Sequence, residues 1–382
     1  MVDVLAANHG ECSGGGGQDD PSRERRLMAA LNNSVRSKRG LRAAARMTRD
    51  RNARVAGVVA ATGAAVAAGK IAADQLRRAG DGDGSGRDFR LRRTEDVGEG
   101  LRRIAAGRAD SAVDQLRGHG EDRVPAAVHE ARKDLKKLRS VLRLARDAIG
   151  EATYERENAR FREAGRLLSG RRDDQVMVET LDMLSERFPT DLDGEEIAGV
   201  SRSLKDASKA DGEDLQHVLD RAATEIEAGR AAIDDWELGA SGWELVGPGA
   251  TRSYRRGHAR FASLSDDPSD ENVHELRKRV KDHWYQLRIV RNAWREVLAE
   301  TADQAHELGD LLGDHHDLAV LRDRLERAGG ANGNLEAIRS AIERRQAELL
   351  ADALPYATRL YAEKPKAFGR RLHSYWSAWR EP

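Results

Sequence analysis

Two segments of the chain carry histidine, arginine and lysine at helical spacing, and these are the residue types that bind phosphate and other anions. The segments are VHEARKDLKKLRSVLRLAR at 128–146 and VHELRKRVKDHWYQLRIVR at 273–291. They align without gaps at an offset of 145 residues. Because the same basic residues occur twice at the same positions, the repeat predicts a duplicated anion-binding face.

A helical wheel at about 100° per residue separates the basic from the apolar side chains of each segment. The basic sides, which we call the first and second stripes, consist of His129, Arg132, Lys133, Lys136 and Arg143, and of His274, Arg277, Lys278, Lys281 and Arg288. The opposite sides are apolar and are predicted to be buried: Ala131, Leu135, Leu138, Leu142 and Ala145, and Leu276, Val280, Leu287 and Val290. His283 also falls on the buried side, which predicts a hydrogen-bonded core histidine.

Each stripe places like charges three and four residues apart, which destabilises a helix by a few tenths of a kcal/mol per pair. An anion bound along the stripe would offset this cost. From His129 to Arg143 the stripe is about 21 Å long at 1.5 Å per residue, which suits a chain of phosphates better than one small anion. The simpler interpretation is a solvated face neutralised by acidic neighbours, and the duplication weighs against it.

The elements that must position these stripes are predicted to be helices. Charged residues make up 34% of the chain and aromatic residues 4%, and leucine and alanine are abundant, which favours an all-α fold. A second pair of blocks, LLSGRRDDQV at 167–176 and LLGDHHDLAV at 311–320, aligns at an offset of 144 residues. The repeat therefore predicts two similar helical bundles. Helix breaks are expected at 118–125, Gly150, Pro189, 239–249, Pro268, 329–333 and Pro355.

The charge balance and the N-terminal region limit which other classes of protein this chain can belong to. Lysine plus arginine equals aspartate plus glutamate at 65 each, so no overall positive field attracts nucleic acid or membranes. Cys12 is the only cysteine, which excludes a disulfide framework and fits a reducing compartment. The first residues lack the basic and apolar regions of a signal peptide. We therefore predict a cytoplasmic protein.

Residues 1–88 are predicted to form a variable extension without a packed core. It consists of a flexible leader, a basic stretch at 23–54, an Ala-rich helix and a Gly/Asp linker at 80–86. The basic stretch fits either a nucleic-acid-binding tail or a solvated helix. The uncharged segment 55–69 is too short to cross a membrane, which takes roughly 20 apolar residues.

The two stripe segments, the segment TRSYRRGHARF at 251–261, both LL blocks and the ending AEKPKAFGRRLHSYWSAW at 362–379 resemble the CHAD family, the conserved histidine α-helical domain. The resemblance covers residues 89–382. It implies two four-helix bundles related by a pseudo-twofold axis, with halves of about 89–240 and 241–382 and with basic residues facing a central groove or pore. It also implies binding of inorganic polyphosphate and association with polyphosphate granules.

By motif position, the resemblance assigns polyphosphate binding to both stripes and to further residues near them. The additional residues are Arg139 and Arg291 on the stripe segments, Arg172 and His316 in the LL blocks, Arg255 and Arg256, and Arg370 and Arg371. The second copy departs from the first where Asp282 and Trp284 replace Lys137 and Arg139, so we expect its face to bind more weakly. The prediction is a non-catalytic polyphosphate-binding protein without a cofactor or a bound metal.

Two other functions remain open on the sequence alone. A metal-dependent phosphohydrolase could use His315, His316 and Asp317, because adjacent histidine and aspartate side chains can ligate divalent metals. A helical scaffold for a protein partner would leave the stripes unexplained. Single-stranded nucleic acid is disfavoured, because its binders stack bases on aromatic residues and the stripe segments offer only Trp284 and Tyr285.

Overall fold

The structure, a computed structural model, describes residues 88–118, 120, 123–209, 215–327 and 334–380. Within these ranges the chain is helical and contains no strand, which confirms the all-α prediction. The helices are α1 (Val97–Arg117), α2 (Val124–Ile149), α3 (Glu151–Leu167), α4 (Gly170–Arg187), α5 (Gly194–Lys209), α6 (Leu215–Ile233), α7 (Trp243–Leu264), α8 (Asp270–Val290), α9 (Arg295–Arg327), α10 (Asn334–Leu360) and α11 (Pro365–Arg380). The basic stretch 23–54 and the segment 55–69 lie outside the described residues.

Local signals account for several helix ends. The Asp96 carboxylate accepts a hydrogen bond from the backbone N–H of Glu99 at 3.0 Å and so caps α1. Asp193 caps α5 in the same way, accepting from the N–H of Glu195 at 2.9 Å. Gly150 separates α2 from α3 with a φ of 81°, which glycine adopts without the steric cost that a Cβ brings.

The helices pack in two connected groups. In the first, α1 packs on α2 and α6, and α3 packs on the same two helices. In the second, α8 packs on α7 and α9, α9 packs on α10, and α11 packs on α7. Helix α2 contacts both α7 and α8 and so links the groups. The residues predicted to be buried on α2 and α8 are all buried, which confirms the apolar sides of the two stripe helices.

The hydrophobic contacts do not divide at residue 240. One large cluster of buried residues draws on α1, α2, α3 and α6 together with α7, α8, α10, α11 and the first part of α9. A smaller cluster joins α4 and α5 to the second part of α9 and to α10. Both clusters therefore contain residues from either side of the predicted boundary, and the division into two pseudo-symmetric bundles stays a prediction.

Several helix boundaries differ from those expected from the sequence. The glycine-rich run 239–249 is only partly a break, because α7 begins at Trp243 and contains Pro248. A Cβ on Gly249 would lie 2.0 Å from the carbonyl oxygen of Leu144, so this glycine marks a close approach of α7 to α2. Helix α10 continues through Pro355, where buried leucines on both sides keep the helix packed. The break at 168–169 between α3 and α4 is not expected from the sequence.

None of the described helices combines the length and the apolar character that crossing a bilayer requires.

Candidate anion-binding groove

Helices α2 and α8, which carry the two stripes, cross near their middles. The Ser140 hydroxyl donates a hydrogen bond to the Asp282 carbonyl at 3.4 Å, and the Arg143 guanidinium lies 2.7 Å from the Asp282 carboxylate. The crossing therefore brings the stripes together at residues that are far apart in the chain.

Four cations of the two stripes converge on the N-terminal side of this crossing. The pKa of Lys136 is lowered to about 8, first by burial and then by the charges of Arg277, Arg132 and Lys281, which outweigh the attraction of Asp317. The Lys136 side chain is nevertheless exposed to solvent. We call the surface formed by Arg132, Lys136, Arg277 and Lys281, where the two helices approach each other, the cationic groove.

Corresponding residues of the repeat make corresponding contacts at the groove. The Arg132 guanidinium donates to the carbonyl oxygens of Leu168 at 3.2 Å and Ser169 at 3.4 Å, at the end of α3. The aligned arginine, Arg277, lies against Gly313 of α9, the residue that aligns with Ser169. The Nε of Arg277 is buried and has no hydrogen-bond partner among the described residues.

Two glycines of α9 make room for the basic side chains of α8. A Cβ on Gly309 would lie 2.8 Å from Cε of Lys281, and one on Gly313 would lie 3.3 Å from Nε of Arg277. Because the two glycines are four residues apart, they share one face of the helix. Sequence reasoning missed this face, although Gly313 lies within the repeated LL block.

Carboxylates neutralise part of the groove. Lys281 Nζ lies 2.8 Å from Asp310, which also lies 2.9 Å from Nδ1 of His306. Burial alone would raise the pKa of Asp310, but the hydrogen bond to His306 and the charge of Lys281 hold it well below its usual range. The pKa of Lys281 is lowered because burial outweighs the favourable charge of Asp310.

A pair of histidines lies beside Arg277. The rings of His274 and His316 are 4.0 Å apart between centroids and tilted by 30°. The pKa of His316 is lowered to about 4, first by burial and then by His274 and Arg277. Burial, Lys278 and Arg277 also lower the pKa of His274. Both imidazoles are therefore neutral at pH 7, so they offer anions hydrogen bonds rather than charge.

The outer positions of the stripes are neutralised by adjacent glutamates. Lys133 Nζ lies 2.9 Å from Glu130, and Lys278 pairs with Glu275. His129 lies 3.8 Å from the same Glu130. At these positions the simpler interpretation, a solvated face with acidic partners, agrees with the structure.

Beyond the crossing, three arginines of the stripe segments have protein partners. Arg143 pairs with Asp282, and Arg139 donates to the side-chain oxygen of Asn158 at 3.0 Å. Burial and Arg143 lower the pKa of Arg139 to about 10, so it remains charged at pH 7. Arg288 stacks on Trp284, 5.1 Å from the ring centroid.

The remaining candidates lie on other elements. Arg371 pairs with Glu363 at 2.7 Å. Arg255 and Arg370 are exposed on α7 and α11, and Arg291 lies in the 3-10 turn Arg291–Ala293 directly after α8. Arg256 is exposed on α7, and its pKa is lowered by burial and by the charge of Arg279. Arg172 belongs to α4, and its side chain lies outside the described residues.

The side chains of His315, His316 and Asp317 point to different neighbours. His315 is buried, 3.7 Å from Asp270, His316 lies on His274, and Asp317 acts on Lys136. Within the described part of the chain, no three His, Cys, Asp or Glu side chains are arranged to hold a metal ion.

His283 is buried, as its position on the apolar side predicts, but it is not hydrogen-bonded. Neither ring nitrogen has a partner among the described residues. The ring instead packs against Tyr254 and Phe368, with centroids 5.4 and 5.3 Å away. Burial lowers its pKa to about 3. The prediction of a hydrogen-bonded histidine was therefore wrong, because aromatic rings rather than polar groups surround the site.

A cavity of about 480 Å³ lies elsewhere, between α1 and α6. Its arginines already have acceptors: Arg102 donates to the Trp236 carbonyl at 2.8 Å, and Arg230 donates to Asp110 at 3.0 Å. The cavity therefore offers less unpaired charge than the cationic groove.

Fold and site together define an all-helical protein with a groove of converging cations. The family model of the CHAD domain matches residues 107–326, and the chain belongs to the CHAD family. Among solved structures, PptA from Streptomyces chartreusis is similar at a TM-score of 0.50 and 14% identity, with 70% of this chain and 100% of that chain covered. The CHAD domain from the plant Ricinus communis gives a TM-score of 0.46 and 20% identity, with 75% and 94% covered. No curated protein matches the chain.

Proposed function

We propose that the protein binds inorganic polyphosphate in the cationic groove without catalysing a reaction. The observation that carries the proposal is the convergence of Arg132, Lys136, Arg277 and Lys281 from two helices on one accessible groove. Membership of the CHAD family raises polyphosphate above other polyanions, since the resemblance implies that ligand.

The groove is electrostatically unfavourable when it is empty. Burial and then the nearby like charges disfavour the protonated form of Lys136, which is why its pKa is lowered. Arg277 adds a buried Nε that has no acceptor within the described part of the chain, and an unpaired buried donor costs roughly 1–3 kcal/mol. A bound phosphate chain supplies negative charge, so it relieves the repulsion among these cations.

The shape and chemistry of the groove suit a chain of phosphates. Arginine forks bind phosphate oxygens in pairs, and lysines act as mobile point charges. The glutamates beside Lys133 and Lys278 mark the outer edges of the strongly positive region. Trp284 is already covered by Lys281 and Arg288, so it does not offer a free face for stacking a nucleic-acid base.

The proposal favours binding over metal-dependent hydrolysis. His315, His316 and Asp317 diverge towards separate neighbours, whereas metal ligands must converge on one point. We further propose a cytoplasmic location on polyphosphate granules, which follows from the ligand.

The test is calorimetric binding of long-chain polyphosphate to the full chain and to two double variants. Lys136→Gln with Arg277→Gln removes two groove cations. Lys133→Gln with Lys278→Gln is the matched control, because it removes two stripe cations that already have glutamate partners. The groove variant is expected to bind at least tenfold more weakly at physiological salt, and the control less than threefold.

The salt dependence and the melting temperature separate a binding role from a structural one. Removing two phosphate contacts lowers the slope of log K against log salt by about 1.4, at roughly 0.7 per contact for a single-stranded polyanion. The groove variant is expected to melt at the same or a higher temperature, because like-charge repulsion is removed. If the full chain does not bind polyphosphate, or if both variants lose affinity equally, the proposal fails and a protein-partner scaffold becomes the better explanation.

A further inference from the structure

Lys136 differs from the other lysines of α2 and α8 in having no ion-pair partner in the described part of the chain. Among the described residues, no carboxylate lies within ion-pair distance of its amine. The other four lysines of α2 and α8 are all paired: Lys133 with Glu130, Lys137 with Asp134, Lys278 with Glu275 and Lys281 with Asp310.

The charges around Lys136 come from three helices. Arg132 lies on its own helix, Arg277 and Lys281 face it from α8, and Asp317 faces it from α9. Burial and the three cations lower the pKa of the amine to about 8. At pH 7.5 the fraction of free amine is therefore on the order of 100-fold that of an ordinary lysine with a pKa of about 10.4. The side chain is exposed, so this amine is open to reagents from solvent.

We infer that Lys136 is a site of Nε-acylation by acyl phosphates, small anionic metabolites that carry an activated acyl group. The cations that surround the amine bind the phosphate end of such a molecule and hold its carbonyl carbon near Nζ. The lone pair of the amine forms the N–C bond, and the C–O bond to phosphate breaks. The proton of the amine passes to the departing phosphate, so the products are the amide and hydrogen phosphate.

Arg277 supplies a positive charge for the phosphate, because it faces the amine of Lys136 from α8. Lys281 contributes a second positive charge, although Asp310 shares it. Lys133 is less favourable for this reaction, because its amine is paired with Glu130 on the outer part of the stripe. Selectivity between two lysines three residues apart on one helix therefore follows from the groove.

Acylation would remove a positive charge from the centre of the cationic groove. If the proposed function holds, on which this consequence rests, the acylated protein binds polyphosphate more weakly. The modification would then couple polyphosphate binding to the level of acyl phosphates.

The test is incubation of the full chain with acetyl phosphate at pH 7.5, followed by peptide mass spectrometry to measure the acetylation rate of each lysine. We expect Lys136 to react at least tenfold faster than Lys133 and Lys278. The expected difference in rate is smaller than the difference in the fraction of free amine. The reason is that a weaker base is also a poorer nucleophile, as it is for thiols. The rate at Lys136 should level off above about pH 8.

A neutral acyl donor distinguishes guidance by phosphate from reactivity alone. With p-nitrophenyl acetate, the preference for Lys136 over Lys133 is expected to be smaller than with acetyl phosphate. Arg277→Gln should reduce the rate with acetyl phosphate more than the rate with the neutral donor. Equal rates at Lys136 and Lys133, or equal selectivity with both donors, would overturn the inference. Neither result depends on whether polyphosphate binds, so failure here is separate from failure of the proposed function.

Discussion

Asp310 limits the positive charge of the groove, and its neutralisation is expected to strengthen polyphosphate binding. The carboxylate lies 2.8 Å from Lys281 and 2.9 Å from His306, and its side chain is 53% exposed. Asp310→Asn keeps the size and the hydrogen-bonding oxygen but removes the negative charge. Lys281 is then free to pair with phosphate, and the ligand no longer approaches a carboxylate.

The size of the gain follows from the distances. A phosphate in contact with Lys281 would come within about 6 Å of the Asp310 carboxylate, where Coulomb repulsion is about 0.7 kcal/mol at the dielectric constant of water and about 2.8 kcal/mol at an effective value of 20. Because Asp310 is half exposed, solvent screening favours the lower part of this range. The expected gain in affinity is therefore about threefold to tenfold.

The assay is calorimetric titration with long-chain polyphosphate at low and at high salt. The gain should shrink at high salt, because the Debye length falls to about 3 Å at 1 M. Asp323→Asn is the matched control: Asp323 lies on the same helix, its side chain is 52% exposed and it is 3.7 Å from Arg322. It lies about 20 Å along α9 from Asp310, so its affinity change should stay within twofold.

A gain in binding is a stringent outcome, because a damaged fold does not produce it. If Asp310→Asn binds with unchanged or lower affinity, Lys281 does not contact the ligand and the electrostatic reasoning about the groove is refuted. If Asp323→Asn gives the same gain, the effect comes from net charge and not from the groove.

Three further predictions concern packing, pH and protonation. Gly249→Ala places a Cβ 2.0 Å from the Leu144 carbonyl oxygen and should destabilise the fold by about 3 kcal/mol in chemical denaturation, whereas Gly165→Ala, with its nearest neighbour at 3.9 Å, should be neutral or stabilising. The His283 pKa of about 3 in the folded state lies below the unfolded value of about 6.5, so the unfolded state binds the proton first and stability falls as pH falls from about 6.5 to 3. His283→Leu should raise the melting temperature at pH 5 and flatten this dependence; an unchanged pH profile would contradict the assignment. Polyphosphate should raise the pKa of Lys136, so calorimetry at pH 8 in buffers of different ionisation enthalpy should detect proton uptake that Lys136→Gln reduces.

Much of the helical scaffold is predictable because its signals are local. The alternation of basic and apolar residues over 128–146 and 273–291 places the apolar sides of α2 and α8 correctly, down to Leu138 and Val280. The same reasoning fails at 247–249, where glycines and a proline indicate a loop but lie inside α7. The sequence alone does not distinguish a glycine that permits a close helix crossing from a glycine that forms a turn.

The types of residue that form the site could be predicted from the sequence, but the particular residues that belong to it could not. Lys136 and Arg277 are both stripe residues, yet so are Lys133 and Lys278, which glutamates neutralise. Asp310 and the two glycines on one face of α9 lie outside the basic stripes. The periodicity of the basic residues therefore does not indicate that they belong to the site. Which cations lack partners depends on side chains from other helices, and these distances do not follow from spacing along one helix.

The sequence by itself determined the helical class, the repeat and the two stripes, because helix periodicity and charge are properties of neighbouring residues. Only the tertiary structure decided that α2 and α8 cross near Ser140 and Asp282. This crossing brings Lys136 beside Arg277, although the two residues are far apart in the chain. Electrostatic coupling depends on distance in space and on burial, and both arise from packing between helices. The groove is therefore a property of the fold, built from charges that the sequence already contains.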